Sequence, residues 1–258
     1  MPRWTLRETL QKIEGLLENG QPDEAAGVCQ QVLDSFPKNL AVYRLIGSAY
    51  LSDGQSGEAA DIFLRLLSSV PDDFTAHLGL GLIREGEGRL DAALGHLERA
   101  YEVKPYSQRM QAEVKRLAGR ISGAPERSPK LSRIALGRMY LKGRSYPQAI
   151  AELQSALAEN PQRDDIQVLL AETYEQTGQP EQAVEAGQAV LLKLPYCLQA
   201  NRILFEAAMH SDQPAQALTY RQRLAELEPY YAFVTPGALR PDLVPEHAVS
   251  LEITFQEA

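Results

Sequence analysis

Six alanines, Ala25, Ala59, Ala93, Ala149, Ala183 and Ala217, each stand twelve residues before a proline: Pro37, Pro71, Pro105, Pro161, Pro195 and Pro229. Within each group of three the period is 34 residues. The step between the groups is 56, the same period with 22 residues added. A fixed period of this length means that each unit is one supersecondary element that cannot bury its apolar face alone. Such units must stack on their neighbours, and three or more are needed for stability. Both groups meet that minimum.

Leu40 to Asp73 serves as the type unit. Tyr43, Ile46, Gly47 and Tyr50 draw one stripe down a helix; Gly54 breaks it; Ala59, Phe63 and Leu66 draw a second stripe, which Pro71 ends. Two helices with a tight turn make an antiparallel hairpin. Gly47 and Ala59 let the two backbones approach closely. The same slots hold Leu80, Gly81, Gly88, Ala93, Leu97, Ala100 and Pro105 in the third unit. They hold Leu136, Gly137, Tyr140, Ala149, Leu153, Ala156 and Pro161 in the fourth, and Leu170, Ala171, Tyr174, Gly178, Ala183, Val190 and Pro195 in the fifth. The first and last units depart. Lys12 and Ile13 replace the Leu-Gly pair, and Phe205 stands at a small-residue position, so that the last hairpin is expected to splay or repack.

These positions resemble those of the tetratricopeptide repeat over about 204 of 258 residues. The resemblance implies an all-α solenoid, a right-handed superhelix of six hairpins in two trios, with an extra helix between them and an extended C-terminal tail. The expected domains are repeats one to three at 1–107, a capping helix and linker at 108–129, repeats four to six at 130–231, and a proline-containing tail at 232–258 with a strand-like end. It also implies a non-enzymatic scaffold that binds a peptide or helix of a protein partner through the first helices of its repeats.

Local chemistry agrees with the hairpin reading. Thr5 and Glu8 form a capping-box pattern before the first helix. Pro22, Pro180 and Pro214 fall where second helices begin, and proline is tolerated in a first helical turn. Asp72-Asp73 and Asp164-Asp165 lie at repeat junctions, where acids cap helices.

In the added stretch, Met110, Val114, Leu117 and Ile121 make a single stripe, which predicts one helix over about 107–120 followed by a loop from Ile121 to Pro129. Lys115 occupies the small-residue slot, so this helix lacks a hairpin partner and reads as a cap. The trios then either form two modules or one superhelix with a local irregularity. Arg109 to Arg144 is basic, with ten Lys/Arg against Glu113 and Glu126, a local +8 in a chain of net −8. It reads either as a landing site for an acidic partner or as a solvated helix face.

Reading the family's groove positions onto this chain gives Arg44, Leu51, Leu78, Leu82, Ile134, Arg138 and Leu141 as a partner-binding strip of apolar anchors flanked by two arginines. The alternative is that these leucines pack within the array. One branch of the family grips chaperone C-termini with lysines and asparagines. The corresponding slots here hold Leu10, Glu14, Leu45, Leu78 and Leu82, so that clamp is absent.

After Pro229 the repeat stops, and Pro236, Pro241 and Pro245 forbid a continuous helix. Val249 to Gln256 alternates apolar and polar, a strand pattern. A lone strand is not stable by itself. Three fates stand: Val249, Leu251, Ile253 and Phe255 dock on the chain's own array; the tail pairs with a partner or second copy, making a homo-oligomer; or it is disordered.

Other chemistry is sparse. His77, His96, His210 and His247 are scattered without metal-ligand spacing, and no phosphate-binding glycine motif stands in context. Cys29 and Cys197 lie in different repeats and read as separate thiols. No cofactor, metal or catalytic residue is expected. The acidic balance, 26 Lys+Arg against 34 Asp+Glu, disfavours nucleic acid. The Pro-Tyr steps at 105–106, 195–196 and 229–230 read as hydrophobic lids at the turns. Without a leader-like or membrane-length apolar run the chain reads as cytoplasmic.

Overall fold

The computed structural model describes residues 3–123, 131–211 and 213–255. Among these residues thirteen α-helices follow one another. They are α1 (Leu6–Glu18) and α2 (Pro22–Ser35); α3 (Leu40–Ser52) and α4 (Ser56–Ser69); α5 (Phe74–Gly86) and α6 (Leu90–Val103); the single α7 (Gln108–Ser122); α8 (Arg133–Lys142) and α9 (Tyr146–Glu159); α10 (Asp164–Gln176) and α11 (Pro180–Lys193); α12 (Leu198–His210) and α13 (Pro214–Leu227). Strands β1 (Arg3–Thr5) and β2 (Ser250–Glu252) flank the series.

The hairpins follow from local rules. Asn39, Asp73, Ser107 and Ser132 cap α3, α5, α7 and α8, each side chain accepting from the backbone N–H three residues on. Thr5 and Glu8 complete the expected capping box on α1. Pro22, Pro180 and Pro214 each open a second helix. Asp164 and Asp165 do not cap: they lie in the first turn of α10, where their charge meets the positive end of the helix. Between paired helices the chain turns through a left-handed residue, Gly20, Gly54, Gly88 and Gly178 at φ 73, 80, 75 and 69°. Arg144 takes the same place at φ 57° without being glycine.

Close approach at the small-residue slot is visible in three hairpins. A Cβ added at Gly47 would lie 2.6 Å from the Phe63 ring, and Cβ atoms at Gly81 and Gly137 would lie 2.7 and 2.8 Å from Leu97 and Leu153. In the first hairpin Ile13 holds that slot, and α1 packs on α2 less extensively than α3 packs on α4. Phe205, in the last hairpin, is buried.

The chain divides into two compact units, Val70–Ile203 and Met1–Ser69 with Leu204–Ala258. In the first of these, α7 covers α6: Met110, Val114 and Leu117 join Ala93, Leu97, Ala100 and Tyr101 in one cluster. The helix runs two residues beyond the expected end, through Ile121 and Ser122, and stops at Gly123 at φ 63°. The remainder of the expected loop, Ala124 onward to Pro129, lies outside the described residues. α8 also packs against α6, so the third, fourth and fifth hairpins and α7 share one unit, whose edges do not coincide with the expected limits at 107, 129 and 231.

The other unit joins the first two hairpins to α13 and the tail. β1 and β2 pair antiparallel, with Arg3 opposite Glu252, Trp4 opposite Leu251 and Thr5 opposite Ser250. The strand is three residues long, shorter than the alternating pattern, and its partner is a segment that carries no strand pattern of its own. Residues 229–248 run through 3-10 turns at Pro229–Phe233, Pro241–Leu243 and Glu246–Ala248.

Candidate binding cleft and tail clasp

In the Val70–Ile203 unit, the turn from Val103 to Ser107, α8 and α10 line a cleft of about 710 Å³. Leu141, Leu169 and Val103 supply its apolar wall, and Arg138, Lys142, Lys104 and Glu172 its charge. Two of the expected groove residues, Arg138 and Leu141, therefore share a concavity. Arg138 donates from Nη2 to Asp72, while its Nε is buried without a hydrogen-bond partner among the described residues. The ammonium groups of Lys104 and Lys142 stand 3.7 and 4.4 Å from the ring centroids of Phe74 and Tyr106. Such placement holds a cation against a π face and still leaves it near solvent. Burial, with Asp72 next, pushes the Glu172 carboxyl up to about 7, against the pull of Arg202 and Arg138. Arg202 is itself held by Glu175 through two bonds of 2.9 and 2.6 Å.

The rest of the expected strip disperses. Ile134 is a correction: it is 6% exposed, packed with Leu153, Ile166, Leu169 and Leu170, because the stripe of a short helix between two neighbours is used for packing. Leu78 is half-buried against the α6–α7 cluster. Leu82 is exposed, at 45%. Arg44 and Leu51 are partly exposed residues of α3, in the other unit.

Four arginines of the basic stretch, Arg116, Arg120, Arg133 and Arg138, meet carboxylates outside it. Arg116 makes bonds of 2.8 and 2.7 Å to Glu85, which Arg120 also meets; Arg133 bonds Glu152 and Glu159, both at 2.9 Å. The arginine bonds hold the Glu85 carboxyl below its ordinary range. Sequence reading saw the local excess and missed these partners: Glu85 lies about one period back from Arg116 and Arg120, and Glu152 and Glu159 lie on the second helix of Arg133's own hairpin.

It also missed a histidine pair. His77 Nε2 stands 3.0 Å from the Pro71 carbonyl, and His77 Nδ1 is 3.1 Å from His96 Nδ1. A carbonyl only accepts, so His77 carries its proton on Nε2 and His96 donates from Nδ1. Burial lowers both pKa values, that of His96 to about 4. No group of three metal-ligating side chains occurs among the described residues. Both cysteines are buried free thiols, pushed up to about 12 by burial. Tyr106, expected as a lid, is 55% exposed at the cleft rim, whereas Tyr230 is buried.

The tail is seated on the first hairpin. Val249, Leu251 and Ile253 are buried, and Phe255 meets Trp4 edge-on at 5.2 Å between ring centroids. The Lys12 ammonium lies 4.3 Å from the Trp4 ring and 4.0 Å from that of Phe255. The Thr254 N–H donates to Gln31 Oε1 at 2.9 Å, and Gln31 Nε2 donates to the Thr254 carbonyl at 3.0 Å. Arg7 donates to the carbonyls of Val244 and Pro241 at 3.1 and 2.9 Å and covers the Tyr230 ring. Among the described residues no helix is long and apolar enough to cross a membrane.

Serial helix hairpins with exposed first-helix residues and a mixed apolar-charged cleft define the class of helical-repeat proteins that present surfaces to other proteins. Within that class, residues 16–81 and 140–199 match the tetratricopeptide repeat, and the chain belongs to the tetratricopeptide-repeat family. No curated protein sequence matches it. Similar solved structures include PilF of Pseudomonas aeruginosa, at 14% identity and TM-score 0.35, covering 86% of this chain and 91% of that one. PilW, a type IV pilus biogenesis factor, is 18% identical at TM-score 0.35, with 87% and 94% covered. A chain of the APC/C hetero-tetramer Cut9–Hcn1 is 18% identical at TM-score 0.39, with 88% of this chain and 47% of that one covered.

Proposed function

We propose that the protein is a non-enzymatic interaction scaffold that holds an extended or helical segment of a protein partner in the cleft between α8 and α10. The supporting observation is the union of an apolar wall at Leu141 and Leu169 with the cations Lys104, Lys142 and Arg138 in one concavity. A segment with an apolar anchor beside acidic residues matches it in both shape and sign. Leu141→Glu with Lys142→Glu reverses both features at partly exposed positions. Quantitative cross-linked capture from the native cell should lose its principal partner with this variant while circular dichroism stays native. A folded variant that retains the same partner set would sink the proposal.

A second reading is self-assembly, in which the tail docks on its own or another copy's array. The β1–β2 ladder and the Gln31 bonds to Thr254 favour it.

A further inference from the structure

We propose that β1 and the first hairpin form a receptor for an extended strand, and that the strand exchanged into it is the 249–255 segment of a second copy. The inference rests on the second reading above and adds the receptor's chemistry and its occupant.

Recognition at this site is directed at backbone. The Leu6 N–H donates to the Val249 carbonyl at 3.0 Å, the β ladder follows, and Gln31 satisfies both polar groups of Thr254. A side-chain amide that pairs with both backbone groups of one residue continues the ladder where β1 has ended. Selectivity comes from alternate positions, with Val249, Leu251 and Ile253 inward and Phe255 closing against Trp4 and Lys12. Main-chain bonds for affinity and alternate side chains for specificity are the rules of strand addition.

Residues that hold the strand lie between Arg3 and Gln31, more than 200 positions away in sequence, so no bond distinguishes the chain's own tail from a copy's. The connection is also suited to a change of course. Pro236, Gly237, Pro241 and Pro245 interrupt it, and an isolated bridge between Thr235 and Ala238 is its only strand-like pairing. Arg7, which binds the Pro241 and Val244 carbonyls, belongs to the receptor and would receive those atoms from the copy as well. Exchange of an identical element preserves every contact and is a low-cost route to a dimer. The tethered tail competes at an effective concentration on the order of millimolar, so exchange grows with protein concentration.

The Leu6–Val249 bond makes Arg3 and Glu252, three positions along, a non-hydrogen-bonded pair, the kind in which facing side chains stand closest. Arg3→Cys with Glu252→Cys in the full chain therefore reports which tail is seated. The protein is annealed in sub-denaturing urea at rising concentration, oxidised, and resolved by non-reducing electrophoresis. The expected result is a disulfide-linked dimer whose share rises about tenfold across a hundredfold concentration range. A disulfide confined to single chains at every concentration overturns exchange and leaves self-docking intact; no disulfide overturns both. In parallel, a chain ending at residue 248 should bind a synthetic 247–255 peptide, and Gln31→Ala should weaken that binding at least tenfold. No binding by the folded shortened chain, or binding indifferent to Gln31, overturns the receptor; if that chain does not fold, the cysteine pair decides.

Discussion

Gly47→Ala offers the sharpest test of how the hairpins are held. The added Cβ would stand 2.6 Å from Phe63 Cε1 and 3.0 Å from two further ring atoms. Ordinary carbon contacts are about 3.5–4.0 Å, so the ring must retreat by about 1 Å. Phe63 is fully buried, which leaves it nowhere to go without moving its neighbours. Overpacking of this kind costs about 1–3 kcal/mol. Replacing a mid-helix glycine by alanine returns up to about 1 kcal/mol of helix propensity. The net expectation is a loss of about 1–2 kcal/mol. Gly27→Ala is the control: it lies within α2, is exposed, and its added Cβ meets nothing within 4 Å, so it should gain about 0.5–1 kcal/mol. The assay is urea denaturation followed by far-ultraviolet circular dichroism, with an unchanged m value as the condition for comparison. Phe63→Leu should couple to Gly47→Ala by about 1 kcal/mol, because the smaller side chain vacates the space that the methyl needs. Additive effects, or a Gly47→Ala protein at least as stable as the parent, would refute the close-approach argument.

Two further outcomes follow from single residues. Arg144 holds a left-handed turn that its counterparts fill with glycine, so Arg144→Gly should raise stability by about 0.5–1 kcal/mol, read as an upward shift in thermal midpoint. Glu172 has its pKa raised above the unfolded value, so its contribution is full below about 4.5 and is lost as pH rises through about 7. Glu172→Gln should accordingly stabilise the protein at pH 8 by on the order of 2 kcal/mol and change little at pH 4.5, with denaturant titration at both values as the check.

What could be read from the sequence was whatever repeats. Gly47, Gly81 and Gly137 recur in register with Phe63, Leu97 and Leu153, and the period transmits their contact directly into the spacing of residues. The capping box at Thr5 and the prolines opening α2, α11 and α13 are equally local, so they too were legible. Polar contacts between helices were not. Arg116 with Glu85, and His77 with His96, are set by how helices rotate against one another, which a stripe of apolar residues specifies only coarsely. Ile134 shows the same limit from the other side: one helix stripe serves both packing and display, and the pattern does not say which residue does which. The strand pattern at Val249–Gln256 was plain, yet its partner Arg3-Trp4-Thr5 is too short to carry an alternation. Its role becomes visible only when Gln31 and Lys12 are found beside it.

The tail clasp has a consequence for the order in which the chain acquires its structure. Contacts within and between neighbouring hairpins link residues a few tens of positions apart, and topologies rich in such local contacts fold fast. The bonds from Gln31 to Thr254 and from Thr5 to Glu246 span 223 and 241 positions. They require closure of a loop of nearly the whole chain, so they form late. During synthesis the first hairpin emerges with the site for its strand empty and keeps it so until residue 255 has left the ribosome. At about 5–20 residues per second that wait lasts on the order of ten seconds to a minute. Through that interval the apolar wall that Val249, Leu251 and Ile253 later cover stays open to other strands.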